Sequence, residues 1–151
     1  VWRSLWLAAA LLVFAPRPCA AQLCTVSTLG VSFGTYDPLA VAPLDGLGSV
    51  GYDCLLPLFG GTITINLGPG SSADITARTM KLLTQPLSYN LYTDAARLHV
   101  WGNGTIGSNV TRSIPAGILT SGSVPVYGRV TARQSVSAGL YLDAIVVTII
   151  F

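Results

Sequence analysis

Residues 61–68 read GTITINLG, an alternation that puts Ile63, Ile65 and Leu67 on one side of an extended chain and Thr62, Thr64 and Asn66 on the other. A period of two commits a segment to a strand with one face on a core and the other toward water. The pattern recurs. In PLSYNLYT, Leu87, Tyr89 and Leu91 oppose Ser88, Asn90 and Tyr92; in PVYGRVTA, Val126, Gly128, Val130 and Ala132 alternate with Tyr127, Arg129 and Thr131. TVSTLGVSF and GSVGYDC read as two more strands, weakened by their glycines. Turn residues separate these runs at Tyr36-Asp37-Pro38, Gly68-Pro69-Gly70, Trp101-Gly102-Asn103-Gly104 and Ser121-Gly122-Ser123. The chain has no glutamate and one lysine, Lys81, while Gly, Thr, Ser, Val and Ile are prominent, a poor mixture for helices. Several short strands with frequent turns predict an all-β sandwich, without internal repeats or a domain linker.

The last stretch, AIVVTIIF, departs from the pattern. Ala144, Val146, Thr148 and Ile150 form one alternating set and Ile145, Val147, Ile149 and Phe151 the other, so both faces are largely apolar. Such a strand expects cover on both sides. It is either a central strand paired within its own domain, or an edge whose free backbone groups invite a strand from another chain. Pattern alone leaves both open.

At the other end, VWRSLWLAAALLVFAPRPCAA has a cationic start at Arg3, an apolar run from Leu5 to Ala15, a proline break and small residues before Gln22. That is the form of a secretory signal, residues 1–21, cut between Ala21 and Gln22. A membrane span needs roughly 20 apolar residues, and Pro16 and Arg17 interrupt the run before that. Neither Cys19 nor Cys24 is preceded by a lipobox. The working domain is then 22–151. Losing Arg3 and Arg17 from eight basic residues leaves six against six aspartates, so the domain is near neutral, with no basic stripe to follow a nucleic acid.

Cys19 leaves with the signal, and Cys24 and Cys54 remain. Two cysteines in an oxidising compartment read as one disulfide. It closes a loop of about 30 residues, for which the chain-entropy account gives about 3.6 kcal/mol. A reactive thiol would need a neighbouring cation, and neither cysteine has His or Lys close in sequence.

Apparent chemical motifs are weak. GLGSVG, with Gly46, Gly48 and Gly51, has the letters of a dinucleotide fingerprint but leads into the strand-like YDC rather than a helix, so no helix N-terminus receives a pyrophosphate. Asn103-Gly104-Thr105 and Asn109-Val110-Thr111 match the N-glycosylation triplet and read as residues of a polar loop. His99, the single histidine, alternates with Leu98 and Val100 and is expected on an exposed strand position. The carboxylates Asp37, Asp45, Asp53, Asp74, Asp94 and Asp143 are scattered, those beside Tyr36, Thr93 and Leu142 reading as turn or strand-start residues. No serine sits in a G-x-S-x-G elbow, and no His or Cys cluster has metal-ligand spacing. The expectation is a non-enzyme with no cofactor and no metal.

The order of CTVSTLGVSFGTYDP, PLDGLGSVGYDC, ARTM, LSYNLYTDAARLHVWGNGTIG, VPVYGRVTA and AGLYLDAIVVTIIF resembles the spore coat protein U domain, the subunit family of archaic chaperone-usher pili in Gram-negative bacteria. The resemblance runs from Cys24 to Phe151. It implies an immunoglobulin-like sandwich lacking its final strand, exported to the periplasm, held by a pilus chaperone, passed to an outer-membrane usher and displayed on the cell surface as a fimbrium. It further implies that the gap is filled first by the chaperone and then by an N-terminal strand of a sister pilin subunit, by strand addition to an exposed edge. On that resemblance Ala144, Ile145, Val146, Val147, Thr148, Ile149, Ile150 and Phe151 border the acceptor groove, and Cys24–Cys54 ties the first strand to the second. Polymerising members carry roughly ten or more alternately apolar residues before the first cysteine; here Gln22 and Leu23 alone follow the expected cut, reaching about 7 Å. The chain is thus expected to accept a strand without donating one and to stand at the tip, supporting adhesion and biofilm formation. The alternatives are a self-complete secreted module that binds a surface or glycan through the loop from Trp101 to Ser113, a spore or cell coat structural protein, and, last, a hydrolase using the scattered aspartates.

Overall fold

The strand-forming residues build eight strands and one short 3-10 turn among the described residues. The computed structural model describes residues 23–56 and 59–151, so the signal segment, Cys19 and the Ala21–Gln22 cut lie outside it. The strands are β1 (Leu23–Ser32), β2 (Leu44–Leu55), β3 (Gly61–Leu67), β4 (Thr79–Leu82), β5 (Gln85–Tyr92), β6 (Val110–Ile114), β7 (Thr120–Val130) and β8 (Val147–Ile150), with the 3-10 turn at Gly70–Ser72. Antiparallel pairing arranges them in two sheets of unequal width, β1-β2-β7-β5-β4 and β6-β3-β8. Among the described residues no helix is long and apolar enough to cross a membrane.

The alternating residues identified in sequence supply the interior. Ile63, Ile65 and Leu67 of β3 are buried, as are Leu87, Tyr89 and Leu91 of β5, Val124, Val126 and Val130 of β7, and Val50, Tyr52 and Cys54 of β2. Each large aliphatic side chain among them contributes about 1.5–3 kcal/mol of burial. Trp101, 0% exposed, enters this layer from the connection between β5 and β6, and its Nε1–H donates to the Ile65 carbonyl at 3.0 Å. A buried indole needs such a partner. Cys24 stands directly opposite Cys54 in the β1–β2 ladder, and the two are joined as a disulfide.

Several expectations are corrected. Ser121-Gly122-Ser123 is not a turn; the antiparallel ladder with Asp53, Tyr52 and Gly51 holds it extended inside β7, and glycine at 122 leaves room for the Tyr52 ring, which a side chain there would overlap. Ala132 lies beyond the end of its strand. His99 is exposed in a bend rather than on a strand, since the Asp94 carboxylate takes the Leu98 and His99 amides and curls the chain. The second part of the expected loop from Trp101 to Ser113 is β6, paired with β3. Asn90, expected on the wet face with Ser88, is 7% exposed. GLGSVG lies wholly within β2, hydrogen-bonded to strands on both sides.

The last stretch resolves in favour of an edge. Of this stretch Val147–Ile150 is strand; β8 pairs with β3 on one side and, among the described residues, has no strand on the other. Ile145, Val147 and Ile149 are half-buried against the core, whereas Ala144, Val146, Thr148, Ile150 and Phe151 are exposed.

Candidate strand-accepting groove

Five strands face three. The wider sheet therefore has inner surface that the narrower sheet cannot cover, and the uncovered part lies between β1 at one edge and the segment leading into β8. Residues on the inner side of β1, in register with Tyr52 and Val50, are Val26 and Thr28, and both are exposed. In a complete sandwich this row would be interior.

The opening is a groove with two connected parts. The first, a cavity of about 310 Å³, has Val50, Val126, Tyr89 and Leu91 as its floor, Thr28 to Val31 on one side and Tyr141 to Asp143, Ile145 and Val147 on the other. The second, about 710 Å³, continues between Ser32 to Pro38 and Val136 to Leu142. Val31, Phe33, Met80 and Tyr141 line both. The two walls thus run antiparallel, and the apolar rim residues Leu29 (69% exposed) and Leu142 (64%) flank the mouth. Exposed apolar surface of this kind, beside an unpaired strand edge, is suited to receiving an extended segment.

Of the stretch Ala144–Phe151, Ile145 and Val147 line the groove. Ile149 packs on the core, while Ala144, Val146, Thr148, Ile150 and Phe151 point away from it or past its end. Sequence periodicity missed the opposite wall. After Leu29 the register of β1 shifts, and the chain lifts over the inner face of the sheet. Val31 and Phe33 come to rest on Gly46 and Gly48 of β2 and Gly128 of β7: a Cβ on Gly128 would stand 2.6 Å from the Phe33 ring, and one on Gly48 would stand 2.6 Å from the Leu29 carbonyl. Phe33 meets Tyr89 edge to face at 5.8 Å between ring centroids. The inward-facing glycines were the available signal, since glycine inside a strand marks close approach of another part of the chain.

Two polar arrangements hold the groove's surroundings. Arg78, 0% exposed, donates through Nε and Nη2 to the Gly68 carbonyl (2.9 and 2.7 Å), through Nη2 to the Trp101 carbonyl (2.8 Å), and through Nη1 to Asn90 Oδ1 (2.7 Å). Asn90 in turn donates to the Thr76 carbonyl, which explains its burial. Burial lowers the Arg78 pKa, against the attraction of Tyr89, Asp143 and Asp74. Asp143 accepts from the Tyr89 hydroxyl at 2.7 Å and from the Ser71 and Ala144 amides at 2.9 Å each. Burial, reinforced by the hydrogen bond to Asp143, pushes the Tyr89 phenol well above its ordinary pKa.

The other aspartates serve local structure. Asp37 Oδ1 accepts from Leu39, and Asp74 Oδ1 from the Thr76 amide and hydroxyl. Asp53 accepts from the Ser121 hydroxyl across the β2–β7 pair. Asp45 binds Arg129 through both oxygens (2.7 and 3.0 Å) and Arg97 at 3.2 Å. Asn103 uses its side-chain oxygen to hold the Thr105 and Ile106 amides in a turn. Among the described residues no three His, Cys or acidic side chains converge to hold a metal ion.

Residues 10–148 match the family model of the Spore Coat Protein U domain. The chain belongs to the Spore Coat Protein U domain family. It is 39% identical over 132 residues to Protein U of Myxococcus xanthus, a match covering 80% of this chain and 71% of that protein. In structure it is similar to a chain in the CsuC-CsuE chaperone-tip adhesion subunit pre-assembly complex from the archaic chaperone-usher Csu pili of Acinetobacter baumannii. The TM-score is 0.60 at 20% identity, and the match covers 87% of this chain and 40% of that one. At that identity the likeness speaks for the fold alone, an all-β sandwich of two antiparallel sheets.

Proposed function

We propose that this Spore Coat Protein U domain protein is a non-enzymatic subunit of a chaperone-usher pilus that accepts a donor strand in the groove between β1 and β8. The observation that carries this reading is the mismatch of five strands against three, which leaves an apolar groove bordered by an unpaired strand edge. Main-chain bonds to β8 would supply pairing, and alternate apolar side chains on Val50, Val126 and Leu91 would supply register. The family membership and the fold shared with a chain from a chaperone-subunit complex support the same reading. Its partners are then a periplasmic chaperone, an outer-membrane usher and a sister subunit, and its route runs from periplasm to cell surface after removal of residues 1–21.

The finer proposal is a place at the pilus tip, with a part in adhesion and biofilm formation. It rests on a cut after Ala21, which leaves Gln22 and Leu23 ahead of Cys24. Determining the N-terminus of the mature protein tests it: Gln22 is expected, and a start near residue 10, where the family match begins, would supply a strand-length extension and remove the argument for the tip. The acceptor reading is tested by labelled peptides copying the N-terminal extensions of sister subunits from the same host. At a hundredfold excess over Kd a binding peptide adds about 2.7 kcal/mol of stability, a rise of about 10 °C in Tm for a domain of this size. If no extension raises Tm and the protein leaves the periplasm as a stable monomer without a chaperone, the self-complete secreted module is the better account.

A further inference from the structure

The wall of the groove must pass from one sheet to the other, and one side chain governs that passage. Leu142 is still tied to the wider sheet, exchanging backbone hydrogen bonds with Lys81 of β4 at 2.9 and 3.1 Å. Val146 is already tied to the narrower one, its carbonyl accepting from Gly68 at 2.9 Å, and Val147 opens β8. Between these anchors lies Asp143, half-buried at the side of the smaller cavity. One oxygen takes the Ser71 amide beyond the end of β3 and the Ala144 amide of the wall itself; the other takes the Tyr89 hydroxyl from the groove floor. Three charge-assisted bonds thus join wall, floor and the 3-10 turn at a single carboxylate. Gly70 makes room for it: its φ is +69°, and a side chain there would overlap the Asp143 carboxylate.

We infer that Asp143 is a positioning residue for the inserted strand: it sets the distance between the β8 wall and the β5 floor, and so the width of the groove the strand must fill. This inference rests on the strand-accepting reading. A wall free to swing would lose register with the incoming strand even where every apolar contact residue is intact, because bound geometry depends on a pre-set site.

The test measures dissociation of the labelled sister-subunit peptide that gives the wild-type protein its largest thermal shift. Asp143→Ala should release it about ten-fold faster, the effect of losing charge-assisted hydrogen bonds, with Asp143→Asn restoring most of the difference, since an amide oxygen still accepts from Ser71 and Ala144. Tyr89→Phe, which keeps the ring, should give a smaller acceleration, and combining it with Asp143→Ala should add nothing further. Ile114→Val, a trim of a buried side chain at the far edge of the narrower sheet, is the stability control: it should lower Tm and leave the release rate unchanged. Release from Asp143→Ala at the wild-type rate, or acceleration by Ile114→Val as large as that by Asp143→Ala, overturns the inference alone. A wild-type protein that binds no extension overturns the strand-accepting reading and takes this inference with it. Should Asp143→Ala not fold, release from Tyr89→Phe at the wild-type rate refutes the positioning role, and faster release from it upholds the role.

Discussion

Phe33 occupies space that side chains on β2 and β7 would otherwise fill, so the glycines beneath it carry the shape of the groove. Gly128→Ala would put a methyl 2.6 Å from the Phe33 ring, which is also held by Tyr89 and has no free end to swing aside. The expected loss is about 1–3 kcal/mol, the usual cost of overpacking, read from the urea midpoint, with weaker peptide binding because Phe33 lines both parts of the groove. A second prediction concerns acid. The hydrogen bond from Arg129 and the charges of Arg129 and Arg97 lower the pKa of Asp45, and local hydrogen bonds, first from Thr76 and from the His99 amide, lower those of Asp74 and Asp94. A folded pKa below the unfolded one stabilises the fold above the ordinary carboxylate value of about 4, and that stability is lost as pH falls through the folded pKa. The urea midpoint should therefore drop below pH ~4, and Asp45→Asn should have a lower midpoint at neutral pH with a shallower acid decline; an unchanged slope would remove Asp45 from this account. These roles were only partly readable beforehand. Asp37 and Asp94 announce themselves as turn residues, whereas Arg78 in ARTM gives no local sign that it will be buried among carbonyls 10 to 23 residues distant.

At the scale of elements, β1 is the least supported wall of the groove, since it pairs with one neighbour and is exposed along most of its length. The bond from Cys24 to Cys54 fixes one end of it. Replacing both cysteines by serine should cost about 2–5 kcal/mol, seen as a lower Tm than the oxidised wild type, and should abolish peptide binding under conditions where the rest of the domain stays folded; retained binding would mean that the β1–β2 ladder suffices. Legibility followed local contrast. β3 was readable because its two faces differ in polarity at every step, and β5 nearly so. β6 was not, since VTRSI offers no alternation and follows a glycine-rich loop. The start of β7 was hidden because Ser121-Gly122-Ser123 has the residues of a turn, whereas pairing with Asp53, Tyr52 and Gly51 of β2 holds it extended and Gly122 leaves room for the Tyr52 ring. Ala144–Phe151 carried the signal of a strand in need of cover but not its boundary: the first residues cross between sheets, held by Asp143, and only four join β8. The groove itself brings together Phe33, Tyr89 and Tyr141, a juxtaposition no periodicity can reveal.

For the whole molecule, the strand-accepting proposal makes this a domain whose last increment of stability comes from another chain, filling the gap that five strands against three leave. Such a subunit should not polymerise alone if only Gln22 and Leu23 precede the bridge, because two residues reach about 7 Å while the groove wall from Thr28 to Pro38 spans eleven residues, about 36 Å if fully extended. This gives the final prediction. Inserting an alternately apolar segment of about twelve residues, long enough to traverse that length, between Ala21 and Gln22 should turn the protein into its own donor. Secreted wild type should run as a monomer or as a one-to-one chaperone complex, and the extended variant should form ladders of heat-resistant oligomers on unboiled gels. Asp143→Ala in the extended variant should shorten those ladders, since each junction would hold less long. Wild type that forms ladders unaided would show that a donor strand already exists in the mature chain, and with it a position within the pilus shaft rather than at its tip. An extended variant that stays monomeric although the same segment, added as a peptide, raises Tm would instead place the obstacle in assembly, where the usher and chaperone act, rather than in the groove.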